Sequence, residues 1–270
     1  MKKICKLCIA AIVIIFISCS SAPKRPLQID DLRKQAESGL ELGTKAATGG
    51  DFSNALLLIT EAKRKAILVD DSSLIIRTSL AHGNVLLSVQ RTDEAFAEWD
   101  AAIAEAQRIG NAELISVCRI FRAKGLLLSG RDTAANVLDI IVREHSNIKI
   151  RYYTAFSLQT KGLALRALGS YSLAEEALKG ALVIHEKDRY LEYASYDWYI
   201  IASARSLAGN YEGAIQALEA SMAIDRRIEN SWGLAASWNA MGDVYGKMGR
   251  TVEADAAYAR SRAITEAGSR

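Results

Sequence analysis

Trp238-Asn239-Ala240-Met241-Gly242-Asp243-Val244-Tyr245-Gly246-Lys247-Met248-Gly249-Arg250-Thr251-Val252-Glu253-Ala254-Asp255-Ala256-Ala257-Tyr258 reads as one helix, a stop and a second helix folded back on the first. Gly249 supplies the left-handed residue that ends a helix. Ala254 supplies a small side chain where the second helix must cross closely. The same alanine recurs upstream. Ala55, Ala95, Ala135, Ala174, Ala214 and Ala254 are separated by 40, 40, 39, 40 and 40 residues. A single globular core has no need of such even spacing. A stack of helix–turn–helix units does, because each unit must let its two helices nest.

Six units follow from this register, starting at Ala36, Ile76, Ser116, Ala155, Ser195 and Ala235. Position 8 of each is small: Gly43, Gly83, Ala123, Gly162, Ala202, Gly242. Position 27 is small in five (Ala62, Ala102, Ala181, Ser221, Ser261) and Val142 in the third. Position 15 is Gly50, Gln90, Gly130, Gly169, Gly209 and Gly249. Position 24 is mostly a large apolar partner: Ile59, Trp99, Leu178, Leu218 and Tyr258, with Asp139 out of place in the third unit. The two prolines, Pro23 and Pro26, both precede the repeats. A proline-free body suits helix throughout, since proline removes a helix hydrogen bond and clashes with the preceding turn.

These residues resemble the tetratricopeptide repeat family. The sixth unit matches best, with Trp238, Met241, Gly242, Tyr245, Gly249, Ala254 and Tyr258. The fifth has Trp198, Gly209, Tyr211, Ala214 and Leu218; the fourth has Gly162, Gly169, Tyr171, Ala174 and Leu178. The resemblance implies an all-α, right-handed α-solenoid of about six helical hairpins over residues 35–270. The period of 40 exceeds the family's usual 34, so it resembles a long-repeat variety. The six extra residues are expected at the end of each second helix and the start of the next unit. Cap chemistry at Asp70-Asp71-Ser72-Ser73, Gly110-Asn111, Ser146-Asn147 and Asn230-Ser231 is expected to start those helices.

The N-terminus is a separate object. Lys2, Lys3 and Lys6 precede an apolar run, Leu7 to Ile17, too short to span a bilayer. It reads as a secretory signal over residues 1–18. Phe16-Ile17-Ser18-Cys19 resembles the lipobox of bacterial lipoproteins, with Phe16 where leucine is typical. The resemblance implies lipidation, palmitate included, at Cys19. A flexible tether is expected over 19–34. The three lysines of residues 1–18 account for the whole excess of 34 basic over 31 acidic residues. The basic balance is therefore a targeting device and does not point to nucleic acid. Cys5 and Cys8 leave with the signal. Cys118 then has no disulfide partner and is expected as a buried apolar residue.

Catalytic signatures are missing. The mature chain has no HExxH, no Gly-rich phosphate loop and no CxxC. His145 and His185 stand one unit apart with no third ligand, which makes a poor metal site. Each reads as a histidine facing the C-terminal end of a helix dipole. No enzyme activity, cofactor or metal is expected.

The resemblance places the binding surface on the concave face, at positions 2, 5, 9 and 12 of each unit. The middle is expected to be an apolar trough of Leu80, Leu87, Ile120, Leu127, Phe156, Leu163, Tyr196 and Tyr199. Polar residues edge it. The candidate partner-binding residues are Arg77, Asn84, Lys124, Phe156, Arg166, Tyr196, Tyr199, Asn239 and Asp243. Several of the leucines read equally well as core between helices. A two-carboxylate clamp is rejected, because Leu40, Leu80 and Ile120 occupy its key places. An apolar trough with a few polar groups suits an amphipathic helix or extended peptide.

The expectation is a lipid-anchored scaffold in the bacterial envelope, facing the periplasm and held at the outer membrane rather than the inner. Its partner would be another envelope protein or peptide, in pilotin-like or secretion-machinery assembly. The alternative is an accessory of solute uptake that binds a small hydrophobic ligand or a periplasmic solute-binding protein. An enclosed pocket lined by Leu127, Phe156, Leu163 and Tyr199 would favour that alternative. The terminal unit leaves two readings open. Arg260, Arg262 and Glu266 make it a polar cap, or Tyr258 and Ile264 leave an apolar end for a second copy.

Overall fold

A computed structural model describes residues 29–268. The expected signal (1–18), Cys19 and residues 20–28 of the expected tether lie outside the described residues. Residues 29–34, also expected in the tether, open the first helix instead. Asp30 and Asp31 sit in its first turn, where the helix dipole favours negative charge, and Arg33 Nε donates to Asp71 Oδ2 at 3.0 Å.

Twelve helices follow one another: α1 (Ile29–Thr48), α2 (Phe52–Leu68), α3 (Ser72–Ser88), α4 (Thr92–Arg108), α5 (Ala112–Leu128), α6 (Ala134–His145), α7 (Arg151–Ala167), α8 (Tyr171–Lys187), α9 (Leu191–Leu207), α10 (Tyr211–Arg227), α11 (Ser231–Lys247) and α12 (Thr251–Gly268). Among the described residues there is no strand. The helices pair as six hairpins, α1/α2 to α11/α12, and the hairpins stack into an α-solenoid. Most helices are 17 residues long, and most joins are three. Two such helices and two such joins make the 40-residue period, so the extra length is spread over both helices of a unit.

One left-handed residue turns each join except 146–150. Six are glycines; Asp70, Gln90, Arg189 and Glu229 do the same work at φ between 51° and 62°. The caps match the expectation in part. Asp71, Asn111 and Asn230 accept from the backbone N–H groups of Leu74, Leu114 and Gly233. Ser146-Asn147 does not start the next helix: Ser146 is the C-cap of α6, and α7 begins after Ile150. There the Glu113 carboxylate, reaching over from α5, accepts from the N–H groups of Lys149 and Ile150 at 2.6 and 2.7 Å.

Inside each hairpin a large side chain fills the space left by a glycine or alanine. Trp99 shows it best. Its ring is fully buried, and a Cβ added at Gly83 would lie 2.5 Å from Trp99 Nε1. The same relation holds between Gly162 and Leu178 and between Gly242 and Tyr258. Dense packing of this kind makes up most of the stability.

The third unit is out of register. Every other second helix starts two residues after its left-handed residue, but α6 starts four after Gly130, under the cap of Thr133, whose Oγ1 accepts from Asn136 N at 3.2 Å. The slip of two residues exposes Ala135 and Asp139. Val137 (0% exposed) takes the place of the crossing alanine, and Ile141 (1%) takes that of the large plug. The reading of Ala135 as a crossing residue is thus corrected: it keeps the 40-residue spacing but not the position. Val142 is likewise on the surface, and Glu144 stands at its expected place.

First helices touch the first helices of neighbouring units, from α1·α3 to α9·α11. Second helices make no comparable contact with one another among the described residues. The first helices therefore form the inner wall and the second helices the outer one. Winding continues until the last unit meets the first. Trp232, at the start of α11, lies edge-on to Phe52 with ring centroids 6.4 Å apart, and a Cβ on Gly50 would come within 2.6 Å of the Trp232 ring. The solenoid thus makes one full turn and closes around its inner face.

Candidate functional site

Tight curvature decides which of the inner-face positions reach the groove. Leu80 (2%), Ile120 (1%), Phe156 (4%) and Leu163 (2%) are covered by neighbouring helices and belong to the core. The expected apolar trough is corrected accordingly. Leu87 and Leu127 stay half-buried, and Tyr196 is 37% exposed. The pocket expected to be lined by Leu127, Phe156, Leu163 and Tyr199 loses two of its four walls.

In the middle of the wall, three consecutive units meet. Lys124 on α5 places Nζ 4.7 Å from the centre of the Phe156 ring and 5.7 Å from that of Tyr196. Cations are attracted to ring faces at these distances. Tyr196 and Tyr199 stack with centroids 6.2 Å apart and planes 13° from parallel. Arg166 on α7 donates to Ser203 Oγ at 2.7 Å, and its charge opposes the burial that raises the hydroxyl pKa of Tyr196 and of Tyr199. Lys124, Phe156, Arg166, Tyr196 and Tyr199 therefore make one cation–aromatic cluster.

The remaining candidates stand apart. Asp243 accepts from Tyr258 OH at 2.7 Å in the last unit, with exposed Asn239 one turn earlier on α11. Arg77 and Asn84 are exposed on α3. At the terminal unit, Tyr258 is turned inward against Gly242, and Ile264 lines a cleft of about 410 Å³ where the last unit meets the first.

Behind the cluster runs a polar chain that the sequence reading missed. Lys124 Nζ donates to Gln159 Oε1 at 3.2 Å, and Gln159 Nε2 donates to Asp197 Oδ1 at 2.7 Å. Asp197 Oδ2 lies 2.6 Å from His185 Nδ1. Gln159, Asp197 and His185 are all at most 1% exposed. Burial pushes the Lys124 ammonium down to about 8, and the Asp197 charge partly offsets it. Burial also raises the Asp197 carboxyl, against the His185 hydrogen bond. The signal was present in the columns of the repeat. Position 3 reads Ser38, Thr78, Cys118, Ser157, Asp197, Ser237, with one carboxylate among small side chains. His185 and Asp225 likewise replace the alanines Ala66 and Ala106.

His185 stands in the last turn of α8, as expected, and is fully buried there as the partner of Asp197. His145 Nδ1 lies 2.8 Å from Ser157 Oγ. Cys118 is buried, and burial pushes its thiol up to about 12, which leaves it unreactive. Among the described residues, no three His, Cys, Asp or Glu side chains group where a metal could be held.

Residues 193–267 match the tetratricopeptide repeat family model. No curated protein matches the chain. Solved structures share the tetratricopeptide-like solenoid at low identity. The Rap conjugation gene regulator of the plasmid pLS20, in complex with the Phr* peptide, has a TM-score of 0.66 at 17% identity, covering 92% of this chain and 65% of that one. A Rap protein complexed with competence and sporulation factor has a TM-score of 0.63 at 14% identity, covering 87% and 76%. BtubC from P. vanneervenii has a TM-score of 0.57 at 13% identity, covering 92% of both. At these identities the likeness is one of fold.

Proposed function

We propose that this chain is a lipid-anchored tetratricopeptide scaffold, of the long-repeat variety, that captures a peptide or helix of an envelope partner on its inner wall. The observation that carries the reading is the cation–aromatic cluster. Tyr196 and Tyr199 present stacked ring surface to the groove, and Lys124 and Arg166 stand beside them. Tyrosine and arginine are the side chains that most often anchor a partner. Two of the fold relatives are described as complexed with a peptide or factor, which supports capture of a peptide. The resemblance of Phe16 to Cys19 to a lipobox supports anchoring at Cys19, and with it a periplasm-facing position at the outer membrane. Confinement to a membrane raises the effective concentration of partner and scaffold for each other. The setting we favour is assembly of envelope or secretion machinery.

A photo-crosslinking side chain at position 199 tests the reading, with position 219 on the outer wall as control. In native membranes, a discrete adduct from position 199 alone is expected, and Tyr196→Ala should weaken it. Equal adducts from both positions would refute capture on the inner wall. Cys19→Ala should release the chain into the soluble fraction; unchanged membrane association would refute the anchor.

A further inference from the structure

The break in the repeat at the third unit coincides with a cleft between α5 and α6. In the first unit, Gly39 faces Ala62 where the two helices cross, and a Cβ there would sit 3.2 Å from the Ala62 methyl. In the third unit the same crossing holds Arg119 and Glu144, ion-paired at 3.0 Å. Together with the shortened α6, these long side chains keep α5 and α6 apart. The space between them is about 460 Å³, within the usual size range of ligand sites.

Its chemistry is divided. Ala123, Leu126 and Ile140 form an apolar floor, and three guanidinium groups, Arg119, Arg122 and Arg143, stand around it. Two nearby carboxylates, Glu144 and Asp100, are already engaged. Glu144 accepts from Ser116 Oγ at 2.6 Å as well as from Arg119, and Asp100 accepts from Arg122 Nε at 2.7 Å. Arg143 is exposed in the last turn of α6 and has no hydrogen-bond or ion-pair partner among the described residues. A guanidinium with its donor fork free is a ready carboxylate site.

We propose that this cleft docks an acidic peptide segment of a partner protein, with a carboxylate on Arg143 and Arg122 and a neighbouring aliphatic side chain on the Ala123–Leu126–Ile140 floor. The charge excess and the apolar floor together select that occupant. A wholly apolar segment would leave Arg143 unused, and a bare anion would leave the floor unused. Departures from an otherwise regular repeat are expected where a function has been added. Here the departure is a displaced helix with an ion pair wedged into its crossing. The site is independent of the inner wall, since none of its residues belongs to the Tyr196–Tyr199 cluster.

Fluorescence anisotropy of a labelled Glu-Leu-Glu-Glu-Leu peptide with the full chain tests it, beside the Gln-Leu-Gln-Gln-Leu control. Saturable binding of the acidic peptide alone is expected. Arg143→Glu should weaken it about tenfold or more, as loss of a charge-assisted contact implies. Arg143→Lys should keep part of it, because the charge remains while the fork is lost. Tyr199→Ala should leave it unchanged. Three results would overturn the proposal: no saturable binding of the acidic peptide, equal binding of the glutamine control, or equal weakening by Arg227→Glu on the remote helix α10. Arg143 is exposed, so circular dichroism of the variant is expected to match the parent.

Discussion

Val137 and Ala135 give opposite answers depending on whether spacing or structure is right. By spacing, Ala135 is a crossing residue and Val137 has no place. In the structure Val137 is wholly buried and Ala135 is exposed. Val137→Ala deletes two methyl groups. At about 0.8 kcal/mol per buried carbon, that is roughly 1.6 kcal/mol of transfer free energy. The void left behind adds on the order of 1 kcal/mol. The expected loss is therefore about 2 to 3 kcal/mol. For a body of this size it lowers the melting temperature by roughly 5 to 10 °C. Ile141→Ala should cost more, about 3 to 4 kcal/mol, because it removes three carbons from the plug position.

Ala135→Val is the counter-test. At a true crossing, two added methyls would overpack the hairpin and cost about 1 to 3 kcal/mol. At an exposed helix position the change should stay within about 0.5 kcal/mol. Thermal and urea melts followed by circular dichroism and by tryptophan fluorescence suffice for the measurement. Agreement of the two probes also checks that the stack unfolds as one unit, which repeat proteins do not guarantee. A neutral Val137→Ala with a damaging Ala135→Val would restore the even spacing and refute the slipped register.

Three further outcomes follow from single sites. Gln90 holds a left-handed backbone at φ 61°, which disfavours a side chain by about 1 to 2 kcal/mol. Gln90→Gly should therefore gain roughly 0.5 to 1 kcal/mol after the extra unfolded-state entropy of glycine, read as a higher urea midpoint; a lower midpoint would contradict the strain. Asp225 is fully buried, with Oδ2 lacking a partner, and burial raises its carboxyl above the ordinary 3.8. A raised folded pKa favours the folded state below 3.8 and loses that contribution as pH climbs through the folded value. Asp225→Asn should accordingly stabilise at pH 7 to 8, with the advantage shrinking toward pH 4; a variant less stable at pH 7.5 would show that the charge is well solvated. Trp232→Ala removes the contact with Phe52 and Gly50 that closes the turn. X-ray scattering should show a larger maximum dimension, and an unchanged profile would mean that the junction does not hold the two ends together.

Much of the fold is written in columns of residues. Gly43, Gly83 and Gly162 against Ile59, Trp99 and Leu178 announce nested hairpins, because a small residue and a large one must alternate wherever helices cross. Two features escape such columns. The slip in the third unit hides behind Ala135, which keeps its spacing although its helix starts two residues late. Asp139 and Val142 mark the unit as irregular in the columns, and the loop from Ser129 to Thr133, longer than its counterparts, gives the cause. The closure of the solenoid is hidden for a different reason. It is the sum of small rotations between successive units, and no single unit encodes it. That sum decides whether Phe156 and Leu163 face the groove or the core, so the inner wall could be placed by position but not by exposure. Lys124, Tyr196 and Tyr199 could be placed at inner positions by the register alone, and the structure brings them into one cluster.

The buried chain from Lys124 through Gln159 and Asp197 to His185 calls for a reason beyond stability. Earlier units place Ala66 and Ala106 at the His185 position and Thr78 and Cys118 at the Asp197 position, and they pack without charge. The same contact can therefore be built from small neutral side chains. Burying a carboxylate and its partners instead gains little net stability, and often loses some, because desolvation opposes the attraction. What the chain does provide is position. Gln159 and the Asp197 charge hold the Lys124 ammonium over the Phe156 and Tyr196 rings, in a site where burial alone would push it aside or discharge it. A fixed cation beside stacked tyrosines is a cost to folding and an asset to recognition. Asp197→Asn separates the two roles. If the chain serves position, the Lys124 pKa should fall further and inner-wall crosslinking from position 199 should drop while the melting temperature changes little. If it serves only packing, melting and crosslinking should move together.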